Sequence, residues 1–114
     1  MQIEQMRWME KGGWTPVSPG GFGEGAQLVL VFAGTSLIQN PDKLAEICAA
    51  YPRAKIMGCS TAGEIYGTQV TDDSMVVTAI RFDHSTVEGA CIQIRAEESP
   101  FQLGERLAQA MEPR

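Results

Sequence analysis

The sequence predicts an α/β fold with a mixed sheet, in which a βαβ unit is followed by a β-hairpin and a C-terminal helix. Residues 28–33, LVLVFA, form a continuous apolar run that is typical of a strand buried on both faces. A helical pattern and a second short strand follow, which indicates a parallel βαβ crossover. Two later runs alternate between faces and predict antiparallel strands, so the sheet is expected to be mixed.

Residues 1–27 are predicted to be an extended segment followed by an irregular loop. Alternate side chains of residues 1–10 would share one face of a strand. Residues 12–25 contain six glycines and two prolines, which disfavour regular structure. Trp14 and Phe22 lie within this stretch, so we expect the loop to wrap onto the core. The alternative is a mobile flap over a binding site.

The helix of the βαβ unit is predicted over residues 41–51. Pro41 suits the first helical position, and Asp42 is favourable near the positive end of the helix dipole. The apolar stripe of this helix includes Cys48, which we therefore expect in the core. Residues 54–59, AKIMGC, provide the second strand.

The hairpin is predicted from residues 74–82 and 85–95, which are separated by a short turn around Asp83. In the second run the two faces differ in character. One face carries Val87, Gly89, Cys91, Gln93 and Arg95, and the other carries Ala90, Ile92 and Ile94. This alternation predicts a strand.

The C-terminal helix is predicted over residues 99–111, SPFQLGERLAQAM. Ser99 is a suitable N-cap, and Pro100 occupies the first helical position. The apolar side of the helix is formed by Phe101, Leu103, Leu107, Ala108 and Met111. The helix is therefore amphipathic.

Composition excludes several classes of protein. The net charge of −5, without a Lys/Arg cluster, argues against nucleic-acid binding. The longest apolar run is too short to span a bilayer, and the N-terminus lacks the pattern of a secretory signal. The three cysteines form no CxxC pair, so we expect no metal site and free thiols in a reducing cytoplasm.

The main candidate site is the stretch IMGCSTAGEI, residues 56–65. Thr61 and Glu64 match a capping box, which predicts that a helix begins here, at the carboxyl end of a parallel strand. Backbone N–H groups at such a terminus favour anions, whereas Glu64 would favour an ammonium group. The predicted ligand-binding residues are Gly58, Cys59, Ser60, Thr61, Ala62, Gly63 and Glu64.

Catalysis at this stretch is the less favoured interpretation. A cysteine at a helix N-terminus can be a reactive thiolate, so a thiol-dependent enzyme using Cys59 remains an alternative. Its base would have to be His84, because the chain has one histidine. The nucleophile-elbow pattern fails at Ala62, and no phosphate-binding loop is present. We therefore expect a binding module that is not an enzyme.

The stretch and its flanking segments resemble the N-terminal part of a FIST domain. The resemblance is carried by LVLVFAG, PRAKIMGCSTAGEI and AIRFD, and it extends from Leu28 to Met111. It implies a cytoplasmic sensory domain of bacterial signal transduction that binds a small ligand, an amino acid or a related anionic metabolite. The implied partner is a signalling output protein, such as a histidine kinase or a cyclic-dinucleotide enzyme.

The resemblance also leaves a second function open. Some FIST proteins bind haem and sense nitric oxide, and His84 is the imidazole that such a role would need here. No other cofactor is expected. FIST modules usually span several hundred residues, so residues 28–114 are expected to be a partial domain and a fragment of a longer module. Exposed sheet edges in such a fragment would favour a homo-oligomer.

Overall fold

Residues 1–111, the part of the chain that this computed structural model describes, contain seven strands, three α-helices and a 3₁₀ turn. The strands are β1 (Gln2–Met9), β2 (Gly13–Thr15), β3 (Leu28–Ala33), β4 (Lys55–Ser60), β5 (Glu64–Tyr66), β6 (Gln69–Thr71) and β7 (Ser74–Arg81). The helices are α1 (Thr35–Ile38), α2 (Pro41–Ala50) and α3 (Pro100–Ala110), and the 3₁₀ turn is Gly23–Gly25. The end of the predicted domain, residues 112–114, lies outside the described residues.

Five of the strands form a mixed sheet in the order β2-β1-β7-β3-β4. β3 and β4 are parallel, and the other neighbours in this sheet are antiparallel. The polypeptide between β3 and β4 contains α2, so the predicted βαβ unit is confirmed. The predicted α/β class with a mixed sheet and a C-terminal helix is also confirmed.

Helix α2 begins where the sequence predicts and is capped by a residue before it. The side-chain oxygen of Asn40 accepts hydrogen bonds from the backbone N–H groups of Asp42 (2.9 Å) and Lys43 (3.3 Å). The core position predicted for Cys48 is wrong, because Cys48 is exposed. The buried stripe runs through Ile47 and Tyr51, and Cys48 lies about 100° around the helix from Ile47.

The N-terminal segment is an integral part of the sheet. The predicted extended segment is confirmed as β1, which lies between β2 and β7 and pairs with β7 along its full length. The glycine-rich stretch is more ordered than predicted, since it contains β2 and the 3₁₀ turn. Its Trp14 and Phe22 pack against the core. This position agrees with the wrapped loop and not with a free flap.

The predicted hairpin partner of β7 is wrong. Residues 85–95 have no regular secondary structure. Both hydrogen-bonding sides of β7 are occupied, by β1 on one side and by β3 on the other. A strand has two neighbours at most. Residues 85–95 therefore cannot pair with β7, because β1 and β3, which are distant in sequence, occupy both positions.

The two faces of the sheet are covered differently. The face towards α2 carries the core residues Met6, Val29, Val31, Ala33, Met75, Val77 and Ala79. The strand registers place a second set on the opposite face, here called the open face: Ile3, Gln5, Arg7, Leu28, Leu30, Phe32, Lys55, Met57, Cys59, Val76, Thr78 and Ile80. The β5–β6 hairpin covers the open face only in part, and Phe32 and Met57 remain exposed.

Helix α3 forms as predicted, and a complete capping box caps its N-terminus. The hydroxyl of Ser99 accepts from the Gln102 backbone N–H at 3.2 Å, and the Ser99 N–H donates to the Gln102 side chain at 3.0 Å. Pro100 occupies the first turn. Much of the apolar side of the helix is exposed, including Phe101 (76%) and Met111 (53%), whereas Leu103 is partly buried.

Candidate functional site

The helix predicted to begin at Thr61 is absent, and a small hairpin takes its place. After β4 the chain turns at residues 61–63 and continues into β5 and β6. A two-residue turn joins these strands, and its Gly67 has φ of 59°, which glycine adopts without strain. The expected helix N-terminus at residues 59–62 is therefore wrong, and so is the anion site that its backbone N–H groups would have formed.

Thr61 and Glu64 interact, but not as a capping box. The Thr61 hydroxyl donates a short hydrogen bond to Glu64 Oε2. Glu64 Oε1 accepts from the backbone N–H of Ser74 at 3.1 Å and from its hydroxyl at 2.8 Å. The side chain of Glu64 is 1% exposed, and both of its oxygens are bonded. Glu64 thus holds the hairpin against β7, which leaves it poorly placed to bind a ligand ammonium group.

A cleft lies where β3 and β4 end, at the carboxyl edge of the parallel pair. Its volume is about 440 Å³, and we call it the acidic cleft. It is lined by Gly34, Thr35, Ser36, Thr61, Ala62, Glu64, Asp72 and Asp73. Backbone hydrogen bonds from Thr61 to Ala33 (2.9 Å) and from Gly34 to Ser74 (3.0 Å) join the three segments that form it.

The charge of the acidic cleft favours cationic groups. Its lining includes the acidic residues Asp72 and Asp73 and the hydroxyl-bearing residues Thr35, Ser36 and Thr61, and no Lys, Arg or His among the described residues lines it. Carboxylates and hydroxyls are good acceptors for an ammonium group, and they repel an anion that arrives without a counter-charge. The arrangement is therefore suited to a ligand that carries an amino group.

A second cleft adjoins the first beneath the hairpin. It has a volume of about 310 Å³, and we call it the apolar cleft. It is lined by Gln5, Phe32, Thr61, Gly63, Glu64, Ile65, Val76 and Thr78. Thr61 and Glu64 line both clefts, so their hydrogen-bonded pair forms the wall between them. A polar head group and an apolar side chain of one ligand thus have adjacent places to bind.

The predicted binding residues fall into two groups. Thr61, Ala62 and Glu64 line the acidic cleft, and Gly63 lines the apolar cleft. The other three, Gly58, Cys59 and Ser60, lie in the exposed edge strand β4 and line neither cleft.

Gly58 has a structural reason to be glycine. A Cβ at this position would overlap the backbone carbonyl oxygen of Val31 on the neighbouring strand. Its lack of a side chain therefore allows β3 and β4 to pair, whether or not a ligand is bound.

Sequence reasoning missed two of the three segments that form the acidic cleft. Residues 34–36, GTS, follow β3 just as GCST ends β4, and parallel neighbours bring such segments to one edge. That repeated pattern was a usable signal. Asp72 and Asp73 form the turn into β7, and Asp73 has φ of 52°, a conformation that aspartate tolerates. Nothing local indicated that this turn would meet β3 and β4.

His84 lies at the opposite end of the sheet from the clefts. It follows β7, whose first residue, Ser74, meets the carboxyl end of β3, so the length of β7 separates the two sites. That length is roughly 25 Å at about 3.4 Å per residue. His84 is thus too far from Cys59 to act as its base. It is also exposed, between exposed Asp83 and Ser85, which does not fit the enclosed pocket of a haem ligand.

Three further features bear on the chemistry that the chain can perform. Cys48, Cys59 and Cys91 are free thiols, and all three are exposed. Across residues 1–111, no group of three or more His, Cys, Asp or Glu side chains is arranged to hold a metal ion. In the same residues, the helices are all too short or too polar to cross a bilayer.

Comparison with known proteins gives one match. The family model described as FIST N domain matches residues 27–114, which include all the residues that line the acidic cleft and all of the stretch from Ile56 to Ile65. No curated protein matches the chain, and no solved structure does. The match covers the residues on which the sequence resemblance rested and confirms it.

Proposed function

The chain belongs to the FIST N domain family of signal-transduction sensory domains, and from this premise we propose that it binds an amino acid in the acidic cleft. The observation that carries the proposal is the acidic cleft itself, at the carboxyl ends of two parallel strands, where α/β sheets commonly bind ligands. The acidic residues that line the cleft favour an amino acid over an anionic metabolite that lacks an amino group.

Each part of an amino acid has a place in the proposed complex. The ammonium group contacts the carboxylates of Asp72 and Asp73 and the hydroxyls of Thr35 and Ser36, in charge-assisted hydrogen bonds. The side chain enters the apolar cleft against Phe32. Glu64 is a positioning residue, because its oxygens are already bonded within the protein.

The proposed domain is a sensor without catalytic activity. Cys59 lies in an edge strand with His84 at the far end of the sheet, so the described residues offer it no histidine base. Three free thiols support a reducing, cytoplasmic location. Ligand occupancy would be passed to an output protein of the kind expected for the family, such as a histidine kinase or a cyclic-dinucleotide enzyme.

A thermal-shift titration tests the proposal. The panel contains the L-amino acids, the primary amines that lack the carboxylate, and the carboxylic acids that lack the amino group. A binding amino acid is expected to stabilise the protein by about 2.7 kcal/mol at a hundredfold excess over Kd. The matched amine should bind more weakly, and the matched acid should not bind.

Two variants locate the site. Asp72→Asn together with Asp73→Asn should abolish the stabilisation, because these carboxylates hold the ammonium group. Glu105→Gln removes a carboxylate from exposed α3, outside both clefts, and should leave the stabilisation unchanged. A panel without any stabilising amino acid, or one in which the acids alone bind, would contradict the proposal.

A further inference from the structure

β4 is the unprotected edge of the sheet. Within residues 1–111 it is hydrogen-bonded on one side only, to β3, and all six of its residues are exposed. The opposite edge, β2, is only three residues long and is followed directly by Pro16, a device that limits further pairing. β4 has no proline, and its one charged residue is Lys55 at its start. The edge can therefore accept another strand.

The chain after β7 already reaches this edge. The side-chain amide of Gln27, which precedes β3, donates a hydrogen bond to the backbone carbonyl of Ser85 at 2.8 Å. Four residues later, a Cβ at Gly89 would lie 3.9 Å from the Cγ and Cδ atoms of Lys55, the first residue of β4. Residues 82–89 thus pass the starting ends of β3 and β4 and bring the chain to the beginning of the free edge.

The proximity of Gly89 to Lys55 gives the starting point for one register. If the chain continued along β4 in parallel from this point, alternate residues would lie on the open face. Gln93 would then be beside Cys59, and Arg95 beside Thr61.

The residues between them would lie on the opposite face of the sheet, which α2 covers. These residues and their neighbours in β4 are Ala90 beside Ile56, Ile92 beside Gly58, and Ile94 beside Ser60. The apolar set would face the covered side and the polar set the open face, which is the alternation that a strand in this register requires.

We propose that residues 89–95, here called the strap, close onto β4 as a sixth, parallel strand. Closure brings Arg95 to Thr61, which lines the acidic cleft. In the part of the chain that the structure describes, the cleft lining contains no cationic side chain, so the carboxylate of a bound amino acid has no charged partner there until the strap closes. The guanidinium of Arg95 supplies that partner through paired hydrogen bonds. The role of Arg95 rests on the proposed function, whereas closure of the strap does not.

Cross-linking tests closure without any ligand. In a chain with Cys48→Ser and Cys91→Ser, Cys59 is the remaining thiol, and Gln93→Cys adds a second on the same face in the proposed register. Ile94→Cys is the matched control, since its side chain would point to the opposite face. Under a mild oxidant the Gln93→Cys chain should form the internal disulfide with Cys59 on the order of tenfold faster than the control, because only this pair is within disulfide geometry.

The products distinguish the alternatives. Equal rates for the two variants would overturn the proposed register and closure. Disulfide-linked dimers in place of internal disulfides would also overturn it, because they would show that the β4 edge pairs with a second copy.

The titration panel tests the role of Arg95 separately. Arg95→Gln should weaken binding of the amino acid on the order of tenfold, through loss of a charge-assisted pair, and leave binding of the matched amine unchanged. Arg53→Gln removes an exposed arginine from another part of the surface and should change neither. Unchanged amino-acid binding in Arg95→Gln would overturn the role of Arg95. If the disulfide forms as expected but no amino acid binds, the proposed function and the role of Arg95 are refuted. Closure of the strap would still be supported.

Discussion

Glu64 joins three segments of the chain through hydrogen bonds inside the protein. It accepts from Thr61 and from both donors of Ser74, and Thr71 Oγ1 lies 2.8 Å from Ser74 Oγ. Because Ser74 gives its hydroxyl proton to Glu64, Thr71 is the donor in that last bond. The network links the hairpin to β7 and forms the wall between the two clefts, so a polar residue of the motif acts here by shaping the site.

Replacing Glu64 should therefore destabilise the fold. Glu64→Ala leaves the buried N–H of Ser74 without its acceptor, and we expect a loss of about 2–3 kcal/mol in the free energy of unfolding. Glu64→Gln keeps an acceptor oxygen for Ser74 and should cost less. Ile65→Ala, at a neighbouring side chain that is 64% exposed, is the control. Urea denaturation measures all three, and equal losses for Glu64→Ala and Ile65→Ala would contradict the role given to Glu64.

Tyr51 ties α2 to β1 at the base of the core. Its hydroxyl donates to Glu4 Oε1 at 2.5 Å, and the same oxygen accepts from the backbone N–H of Phe22 at 3.1 Å. The pKa of Tyr51 is raised well above its ordinary value of 10.0, mainly because the ring is buried and to a smaller extent because its hydroxyl donates a hydrogen bond to Glu4. The folded state thus favours the protonated phenol.

This pKa shift predicts alkaline destabilisation. The contribution of Tyr51 is fully present below about pH 10 and is lost as the pH rises from there, at roughly 1.4 kcal/mol per pH unit. Tyr51→Phe should be less stable at pH 7 and should lack this part of the alkaline loss. Tyr66→Phe, outside the core, should retain it. Unfolding free energies measured between pH 8 and pH 11, by urea titration, compare the three proteins; parallel curves would refute the assignment.

Among the secondary-structure elements, local sequence patterns predicted the helices α2 and α3 correctly but not the hairpin that follows β4. Asn40, Pro41 and the capping box at Ser99 specify α2 and α3 within a few residues of chain. The stretch from Thr61 to Thr71 is compatible with two different structures, a helix that begins at the Thr61–Glu64 capping-box spacing and a pair of short strands around Gly67. Packing on the open face decided in favour of the strands, because the hairpin covers apolar surface there and buries Glu64 against Ser74.

Pairing of β3 with β4 is expected to depend on Gly58. Gly58→Ala would place a methyl group against the Val31 carbonyl, which is backbone and has little room to move, so we expect a loss of about 1–3 kcal/mol. Gly104→Ala is the matched control, because a Cβ there meets nothing within 4 Å and alanine favours the helix by about 0.5–1 kcal/mol. In thermal unfolding, Gly58→Ala should lower the melting temperature and Gly104→Ala should raise it. An unchanged melting temperature for Gly58→Ala would contradict the dependence of β3–β4 pairing on Gly58.

At the scale of the whole molecule, the sheet extends beyond the family match. The match begins at residue 27, yet β1 lies inside the sheet and supplies Met6, which is 1% exposed, to the core. The N-terminal residues are therefore part of the same folded unit as the clefts. They also cover the side of β7 that the predicted hairpin would have used.

Met6 should accordingly behave as a core residue of the domain. Met6→Ala is expected to cost about 2–5 kcal/mol, through lost burial and the cavity that remains. Met57→Ala changes the same side chain at a position that is 68% exposed and should cost less than about 0.5 kcal/mol. Urea denaturation with an unchanged slope gives the comparison. Similar losses for the two variants would show that β1 is not part of the cooperative unit.

The βαβ unit, the cap of α3 at Ser99 and the family could be predicted from the sequence, because they depend on apolar runs, a capping residue and a motif within short stretches of chain. The sequence also identified Thr61, Ala62 and Glu64, which line the acidic cleft. The neighbours of β7, the hairpin after Thr61 and the contact of residues 34–36 with Asp72 and Asp73 depend on long-range packing and could not be predicted from local sequence. Distant segments compete for the same strand positions, and that competition is settled by the packing of the whole sheet.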